Sequence, residues 1–164
     1  MPEPATRPRV RLAVPADLAA IVEFNRRLAL ETESKTLDPA VLEAGVACAL
    51  ADPDRLRYWV AEVEGEPRPV GQAAVTREWS DWRMGWIWWF QSVYVAAEFR
   101  GRGVFRTLYH HIRDEARSRP DVIGLRLYVE DSNAPAHKTY WALGMRPGGY
   151  SVYEELWIPG RSGS

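Results

Sequence analysis

The chain changes from a strand-like to a helix-like pattern within residues 91–116, which read QSVYVAAEFRGRGVFRTLYHHIRDEA. The first residues, Gln91–Val95, are rich in β-branched and aromatic side chains, which favour strands. Apolar residues then recur at helical spacing: Phe105, Leu108, Ile112 and Ala116. The glycine-rich segment between these two patterns, Arg100–Phe105, is therefore predicted to form a strand-to-helix turn.

Such a turn is suited to binding a diphosphate. Gly101 and Gly103 can adopt positive φ angles, which lets an anion approach the backbone. The first N–H groups of the helix that follows have no carbonyl partner within the helix, and the helix dipole favours negative charge at that end. The two arginines of the segment add charge-assisted hydrogen bonds. The predicted phosphate-binding residues are Arg100, Gly101, Arg102, Gly103, Val104 and Phe105.

The glycine spacing does not fit the other common phosphate motifs. A dinucleotide-binding fingerprint has a third glycine where this chain has Arg106, and a P-loop has Lys followed by Ser or Thr after its last glycine. A glycine-rich turn can also end a strand for structural reasons alone. The turn by itself therefore leaves a purely structural role open.

Length and composition favour one domain with a sizeable core, because 46% of the 164 residues are hydrophobic. The formal net charge is −1, and a nucleic-acid or anionic-membrane partner requires a clustered basic excess, so neither partner is expected. Cys48 is the single cysteine, which favours a reducing compartment. Met1–Arg9 lacks the apolar core of a signal peptide, and the longest apolar run, Trp86–Phe90, is too short to span a membrane. We therefore expect a cytoplasmic protein.

Hydrophobic periodicity and turn residues predict the element order β-α-α-β-β-β-α-β-α-β. The predicted strands cover residues 10–14, 56–63, 70–76, 84–95, 123–129 and 150–157. The predicted helices cover residues 15–30, 39–50, from the glycine turn to about 118, and 133–143. A single domain is expected over residues 1–160, followed by a flexible tail at 161–164.

The chain resembles the GNAT (Gcn5-related) N-acetyltransferases over nearly its whole length, through two motifs. The first is the acyl-CoA turn of that family, Arg/Gln-x-x-Gly-x-Gly/Ala, which Arg100 and Gly103 match; the family usually has a small residue where this chain has Phe105. The second is Asn-x-x-Ala-x-x-x-Tyr-x-x-x-Gly, matched by Asn133, Ala136, Tyr140 and Gly144. Their spacing of three, four and four residues places them on one helical stripe.

The resemblance implies an α/β fold of the mixed α+β kind, the acyl-CoA N-acyltransferase fold of this family. In it, a central mixed, mostly antiparallel sheet is flanked by helices and splayed at the cofactor site. The strand before the phosphate turn is then expected to carry a β-bulge near Ser92–Val95, which leaves backbone groups unpaired. Free amides, taken to be those of Val93 and Val95, bind the pantetheine arm of acetyl-CoA and polarise the thioester carbonyl.

The resemblance also implies the reaction. An unprotonated primary amine attacks the thioester carbonyl directly, and Tyr140 stands at the family's position for protonating the departing thiolate. Asn133 and Ala136 belong to the same motif and are expected to contact the cofactor arm, although Asn133 as a helix N-cap needs no ligand. The predicted activity is acetylation of a small-molecule or peptide amine by acetyl-CoA without a metal, in a monomer or a homodimer.

The acceptor side is less determined by the sequence. Many relatives carry a glutamate base on the long central strand, where this chain has Gln91 and Ser92, so no general base is assigned. Glu31 and Glu33 at the end of the first helix are candidates to bind a cationic amine, because carboxylates there oppose the helix dipole; a solvated helix end is the alternative. Eight tryptophans are present, and core packing, an acceptor pocket or a dimer surface explains them. Trp88 and Gln91 are the pocket candidates.

Two other functions stay open at this point. A non-catalytic acyl-CoA sensor would keep the phosphate turn and lose the acceptor chemistry, and the missing carboxylate on the central strand favours it. A structural or interaction domain would use the aromatic residues as a surface, and the glycine turn would then be incidental. The identity of the acceptor is not indicated by the sequence.

Overall fold

The computed structural model describes residues 7–157. The chain divides into two compact units, one ending at Tyr128 and one beginning at Val129. The strands are β1 (Arg9–Leu12), β2 (Arg57–Glu62), β3 (Gly71–Ser80), β4 (Gly85–Val95) and β5 (Val122–Leu127), and the helices are α1 (Leu18–Glu33), α2 (Pro39–Ala51), α3 (Val104–Ser118) and α4 (Ala134–Ala142). A single domain over residues 1–160 stays a prediction, and the tail predicted at 161–164 lies outside the described residues.

The five strands form one sheet in the order β1-β2-β3-β4-β5. Neighbouring strands are antiparallel from β1 to β4, and β5 is parallel to β4. The connection between β4 and β5 contains α3, as a parallel pair requires a long crossover. The predicted mixed, mostly antiparallel sheet flanked by helices is therefore confirmed.

The two faces of the sheet are covered by different helices. On one face, α1 and α2 pack over a cluster formed by Ile21, Val46, Ala49, Tyr58, Val60 and Ala74. Trp59 alternates with the two residues of β2 in that cluster, so its side chain emerges on the opposite face. There its Nε1 donates to Glu115 of α3 at 3.3 Å. Phe90 stacks on Tyr109 of α3 on the same face, with ring centroids 5.6 Å apart.

The prediction of a strand over residues 150–157 is wrong. These residues have no regular secondary structure, and Tyr150 and Tyr153 are 82% and 93% exposed. Alternating polar and apolar residues form a strand only where a neighbouring strand supplies hydrogen bonds, and the sequence pattern cannot show whether one is present. A smaller difference is that β3 continues to Ser80, beyond the predicted end at residue 76.

Within residues 7–157, we find no helix whose length and apolar character would allow it to cross a membrane.

A buried carboxylate attaches β1 to the start of α1. Asp17 is 5% exposed and accepts hydrogen bonds from Arg11 Nη1 at 2.7 Å, Arg11 Nη2 at 3.0 Å and the Val14 N–H at 2.8 Å. Burial alone would raise the pKa of Asp17, but the hydrogen bonds from Arg11 and Val14 outweigh it, so the pKa lies below its ordinary value. The carboxylate therefore stabilises the fold in its charged form.

We expect Asp17→Asn to lower the free energy of unfolding at pH 7 by about 2 kcal/mol, because Arg11 loses its charged partner. Since the folded pKa is depressed, this stabilisation is present above the unfolded pKa of about 3.9 and is lost as the pH falls through the folded value. The difference from wild type, measured by urea unfolding at pH 7 and pH 3, should therefore shrink at pH 3. Glu23→Gln, which breaks exposed pairs with Arg26 and Arg27, is the control and should cost about 0.5 kcal/mol or less. Equal losses in the two variants would contradict the assignment.

Candidate functional site

Strand β4 has a partner on both sides only over its first half. Its pairing with β5 ends at Phe90 opposite Leu127, whereas its pairing with β3 continues to Val95 opposite Gly71. The segment 91–95 therefore has an open edge on the β5 side. This is the splayed arrangement that the family resemblance predicts.

The predicted β-bulge is present in this open segment. Two steps along β3, from Gln72 to Ala74, correspond to three steps along β4, from Tyr94 to Gln91. Ser92 has a φ of 49°, a conformation that is uncommon for a residue with a Cβ atom. The extra residue interrupts the regular ladder and turns backbone groups away from β3.

The backbone of Val95 faces the open edge. The Val95 carbonyl accepts from Arg100 Nε at 2.9 Å. The N–H of the next residue, Ala96, instead donates to the carbonyl of Val70, the residue before β3, at 2.9 Å. The N–H and C=O of one strand residue point to the same side, and neighbouring residues alternate. The Val95 N–H therefore points into the gap beside β4.

The glycine turn follows this open segment. Gly101 and Gly103 have φ angles of 74° and 79°, as predicted. Glycine adopts this positive-φ conformation without strain. A Cβ atom at either glycine would meet no atom within 4 Å, so the space in front of the turn is open. Gly103 is the N-cap of α3, and no side chain of the described residues caps this helix end. The arrangement offers backbone donors and a helix dipole to an anion.

Arg100 has a partner that lies far from it in the sequence. Its Nη2 donates to Glu31 Oε2 at 2.6 Å, and its guanidinium lies 5.2 Å from the centroid of the Tyr94 ring. The Tyr94 hydroxyl donates to the other oxygen of Glu31 at 2.7 Å. The Arg100 side chain is thus directed back to the end of β4 and to α1. Arg102 is exposed and forms no ion pair with the residues that the structure describes.

These contacts favour the charged form of Glu31. Hydrogen bonds from Tyr94 and Arg100 lower the pKa of the Glu31 carboxyl, while burial and the bond to Glu31 raise the pKa of Tyr94. Both oxygens of Glu31 accept a hydrogen bond, from Tyr94 and Arg100, so the carboxylate connects α1 to β4 and to the glycine turn. Its predicted contact with a cationic amine stays a prediction. Glu33 forms an exposed ion pair with Lys35, a kind of contact that contributes little to stability.

The tryptophans of β4 face opposite sides of the sheet. Trp88 is 3% exposed and packs on Trp59, with ring centroids 6.0 Å apart, on the α3 face. Its burial places Trp88 in the core of the sheet, and its part in an acceptor pocket stays a prediction. Trp89 lies on the other face, where its ring packs on Tyr128 with centroids 4.5 Å apart.

Trp89 and Tyr128, called here the aromatic shelf, lie where β4 and β5 part. Trp89 Nε1 donates to Glu78 Oε2 at 2.7 Å, and Arg126 Nη1 donates to Glu78 Oε1 at 3.0 Å. Gln91, the other predicted pocket residue, is half-buried beyond Trp89 on the same face of β4 and donates to Thr76. The sequence did not single out Tyr128, because it gains its position only from the register of β5.

The second unit contains the Asn-Ala-Tyr-Gly motif. The side chain of Asn133 caps α4 by accepting from the Ala136 N–H at 3.1 Å, and Gly144 follows the helix with a φ of 90°. Tyr140 is half-buried, and this burial raises the pKa of its hydroxyl. The phenol therefore keeps its proton at neutral pH. No cluster of three potential metal ligands occurs among residues 7–157.

Comparisons with known proteins agree with this architecture. The model of the acetyltransferase (GNAT) family matches residues 18–145. The structure is similar to that of a possible acetyltransferase from Clostridium difficile 630, with 41% sequence identity, a TM-score of 0.84, and coverage of 92% of this chain and 98% of that one. A search of curated proteins found no match.

Two more distant structures share the fold. One is glucosamine-6-phosphate N-acetyltransferase from Arabidopsis thaliana, with 16% identity, a TM-score of 0.69, and coverage of 92% of this chain and 99% of that one. The other is ribosomal-protein-alanine N-acetyltransferase from Brucella melitensis biovar Abortus 2308, with 16% identity, a TM-score of 0.73, and coverage of 93% and 100%. Their names refer to different acceptors, so the fold alone does not indicate which acceptor a protein uses.

The positive φ of Ser92 implies that the stability of the protein depends on which side chain stands at this position. We expect Ser92→Val to lower the free energy of unfolding by about 1 to 2 kcal/mol, because a β-branched residue is strained in this conformation. Ser92→Gly should change it by less than about 0.5 kcal/mol, because glycine adopts positive φ readily but is more flexible in the unfolded chain. Urea unfolding of the two variants measures the difference. A glycine variant as unstable as the valine variant would contradict the bulge geometry.

Proposed function

The chain belongs to the GNAT family of acetyltransferases, and we propose that it transfers the acetyl group of acetyl-CoA to a primary amine of a small molecule or peptide. The observation that carries this proposal is a series of backbone donors in two groups, one at the open edge of β4 and one at the glycine turn and the N-terminus of α3. An elongated ligand with a diphosphate at one end and an acyl group at the other matches that series.

The proposed binding mode assigns the diphosphate to the glycine turn. The donors are the backbone N–H groups of Gly101 to Phe105, and the exposed Arg102 adds positive charge. The open space in front of Gly101 and Gly103 supports this fit. The guanidinium of Arg100, which already contacts Glu31 and Val95, supports the turn from behind. The pantetheine arm then follows the open edge of β4, where the Val95 N–H is a donor.

The chain's residues act on the thioester in two ways under this proposal. The N–H groups of Val93 and Val95 stabilise negative charge that develops on the thioester oxygen when the amine attacks the carbonyl carbon. Tyr140 donates its proton to the sulfur as the carbon–sulfur bond breaks, because a thiol, with a pKa of about 8.5, leaves more readily than a bare thiolate. The proton that the attacking nitrogen loses returns through solvent to the Tyr140 phenolate. The raised pKa of Tyr140 keeps that proton available. The assignment of Tyr140, and of Asn133 and Ala136 to the cofactor arm, rests on the family motif.

We assign the acceptor to the face of the sheet that carries the aromatic shelf. Trp89 and Tyr128 lie beside the point where β4 and β5 separate, and Gln91 follows on the open segment. An aromatic surface next to Glu78 favours an amine that carries an apolar or aromatic group. No carboxylate occurs on the open segment to act as a base, so the proposal takes the amine in its unprotonated form.

That missing carboxylate also favours a second candidate, a module that binds acyl-CoA without transferring the acyl group. Thiol release from acetyl-CoA in the presence of a panel of primary amines distinguishes the two. Transfer predicts amine-dependent thiol release, whereas the binding module predicts CoA binding with no release for any amine. Absence of CoA binding would overturn both candidates.

The diphosphate assignment predicts the effect of a Cβ atom at the turn. We expect Gly103→Val to weaken CoA binding at least about tenfold, because the side chain blocks the approach of the anion to the backbone. Gly65→Val is a matched control, since Gly65 also has a positive φ, of 87°, and open space around it but lies in the β2–β3 turn. Isothermal titration with CoA measures the affinities. The assignment is supported if both variants lose similar stability and only Gly103→Val loses affinity for CoA. Equal CoA affinities in the two variants contradict it.

The assignment of Tyr140 as the general acid predicts that its removal lowers turnover without lowering the affinity for CoA. We expect Tyr140→Phe to lower kcat about 100-fold with little change in CoA affinity, because the phenol acts on the leaving group. Since the pKa of Tyr140 is raised, wild-type kcat should not fall through loss of this proton until the pH exceeds about 10. Tyr153→Phe, at an exposed position, should leave kcat unchanged. Wild-type kcat in the Tyr140 variant would rule out its role as acid.

A further inference from the structure

We propose that Gln72 and Asn25 are positioning residues for acyl transfer, which hold the bulge of β4 so that the N–H of Val93 is directed at the thioester carbonyl. This inference rests on the proposed function, because it concerns the same reaction. It assigns a role to two side chains that do not themselves touch either substrate.

A chain of buried polar side chains connects α1 to the bulge. Gln72 on β3 is completely buried, and its Nε2 donates to the Ser92 carbonyl at 3.0 Å and to Asn25 Oδ1 at 2.7 Å. Asn25 on α1 is 9% exposed, and its Nδ2 donates to the Tyr58 hydroxyl at 3.2 Å. The carbonyl of Ser92, the residue with the positive φ, therefore accepts its hydrogen bond from a side chain and not from the backbone of a neighbouring strand.

Holding this carbonyl also fixes the direction of the next amide. The C=O of Ser92 and the N–H of Val93 belong to one planar trans peptide, so they point in opposite directions. Gln72 is a residue of β3, and its Nε2 holds the Ser92 carbonyl toward β3. The Val93 N–H is therefore directed away from β3, toward the open edge of β4. A rotation of this peptide would move the donor out of line, and small displacements of a donor strongly reduce catalysis.

Packing alone does not explain a glutamine at this position. Gln72 Oε1 is buried and has no hydrogen-bond partner among the described residues, which destabilises a folded protein, whereas an apolar side chain of similar length would avoid the loss. Exchanging the two amide atoms would not remove the problem, because Oε1 would then face the oxygens of Ser92 and Asn25. The side chain is therefore oriented by the Ser92 carbonyl.

The test compares Gln72→Met with Val60→Ala. Methionine keeps the length of the side chain and removes both donors, whereas Val60 pairs directly with Gln72 in the sheet, is equally buried and has no donor to lose. We expect Gln72→Met to lower kcat for acetyl transfer about 10- to 100-fold. Its dissociation constant for CoA, which has no acyl carbonyl, should change less than about twofold. Asn25→Leu should lower kcat in the same direction, because Gln72 loses its support.

A measurement on the free protein gives a second, independent result. The ¹H–¹⁵N resonance and hydrogen exchange of the Val93 amide should change in Gln72→Met and remain close to wild type in Val60→Ala. Wild-type kcat in Gln72→Met, an unchanged Val93 amide, or an equal loss of kcat in Val60→Ala would each overturn the inference. Failure of the wild-type protein to release thiol with any amine would overturn the proposed function and, with it, the role of Val93. Activity in wild type with no difference in the variant overturns the positioning role alone.

Discussion

The central constraint in this structure is that β4 pairs with β3 along its length but pairs with β5 only as far as Phe90. Backbone N–H and C=O groups need hydrogen-bond partners, so a strand with one open edge is a place where a ligand can bind. The bulge, the glycine turn and the first turn of α3 follow along the chain from that edge. Each of them leaves backbone donors that the sheet does not use, and together they account for the proposed binding of an acyl-CoA.

A strand that lacks a neighbour must be held by something else, and here α1 does so. Glu31 near its C-terminal end binds both Arg100 and Tyr94, and Asn25 near its middle binds Gln72, which binds the carbonyl of the bulge. These contacts explain why polar side chains lie beneath a helix whose other buried contacts are apolar. Under the proposed function, they also give α1 a part in the reaction, because the geometry of the open edge depends on where the helix holds it.

The sequence predicted the elements whose cause is local. Positive φ at Gly101 and Gly103, the Asn133 cap and the order of nine of the ten predicted elements follow from residue preferences and periodicity within short segments. The splay and the bulge were expected through the family resemblance and not from any local pattern, because both depend on where one strand stops beside another. The strand predicted at residues 150–157 failed for the same reason, since alternation does not reveal a partner.

The sequence by itself determined that a strand, a glycine turn and a helix follow one another, because backbone preferences act between residues close in the chain. Only the tertiary structure decided which side chains contact that turn. Arg100 donates a hydrogen bond to Glu31, which lies far away in the sequence. Trp88 lies in the core and Trp89 on the opposite face, because different helices cover the two faces of the sheet. Contacts of this kind form between residues distant in sequence, and residue preferences carry no information about such pairings.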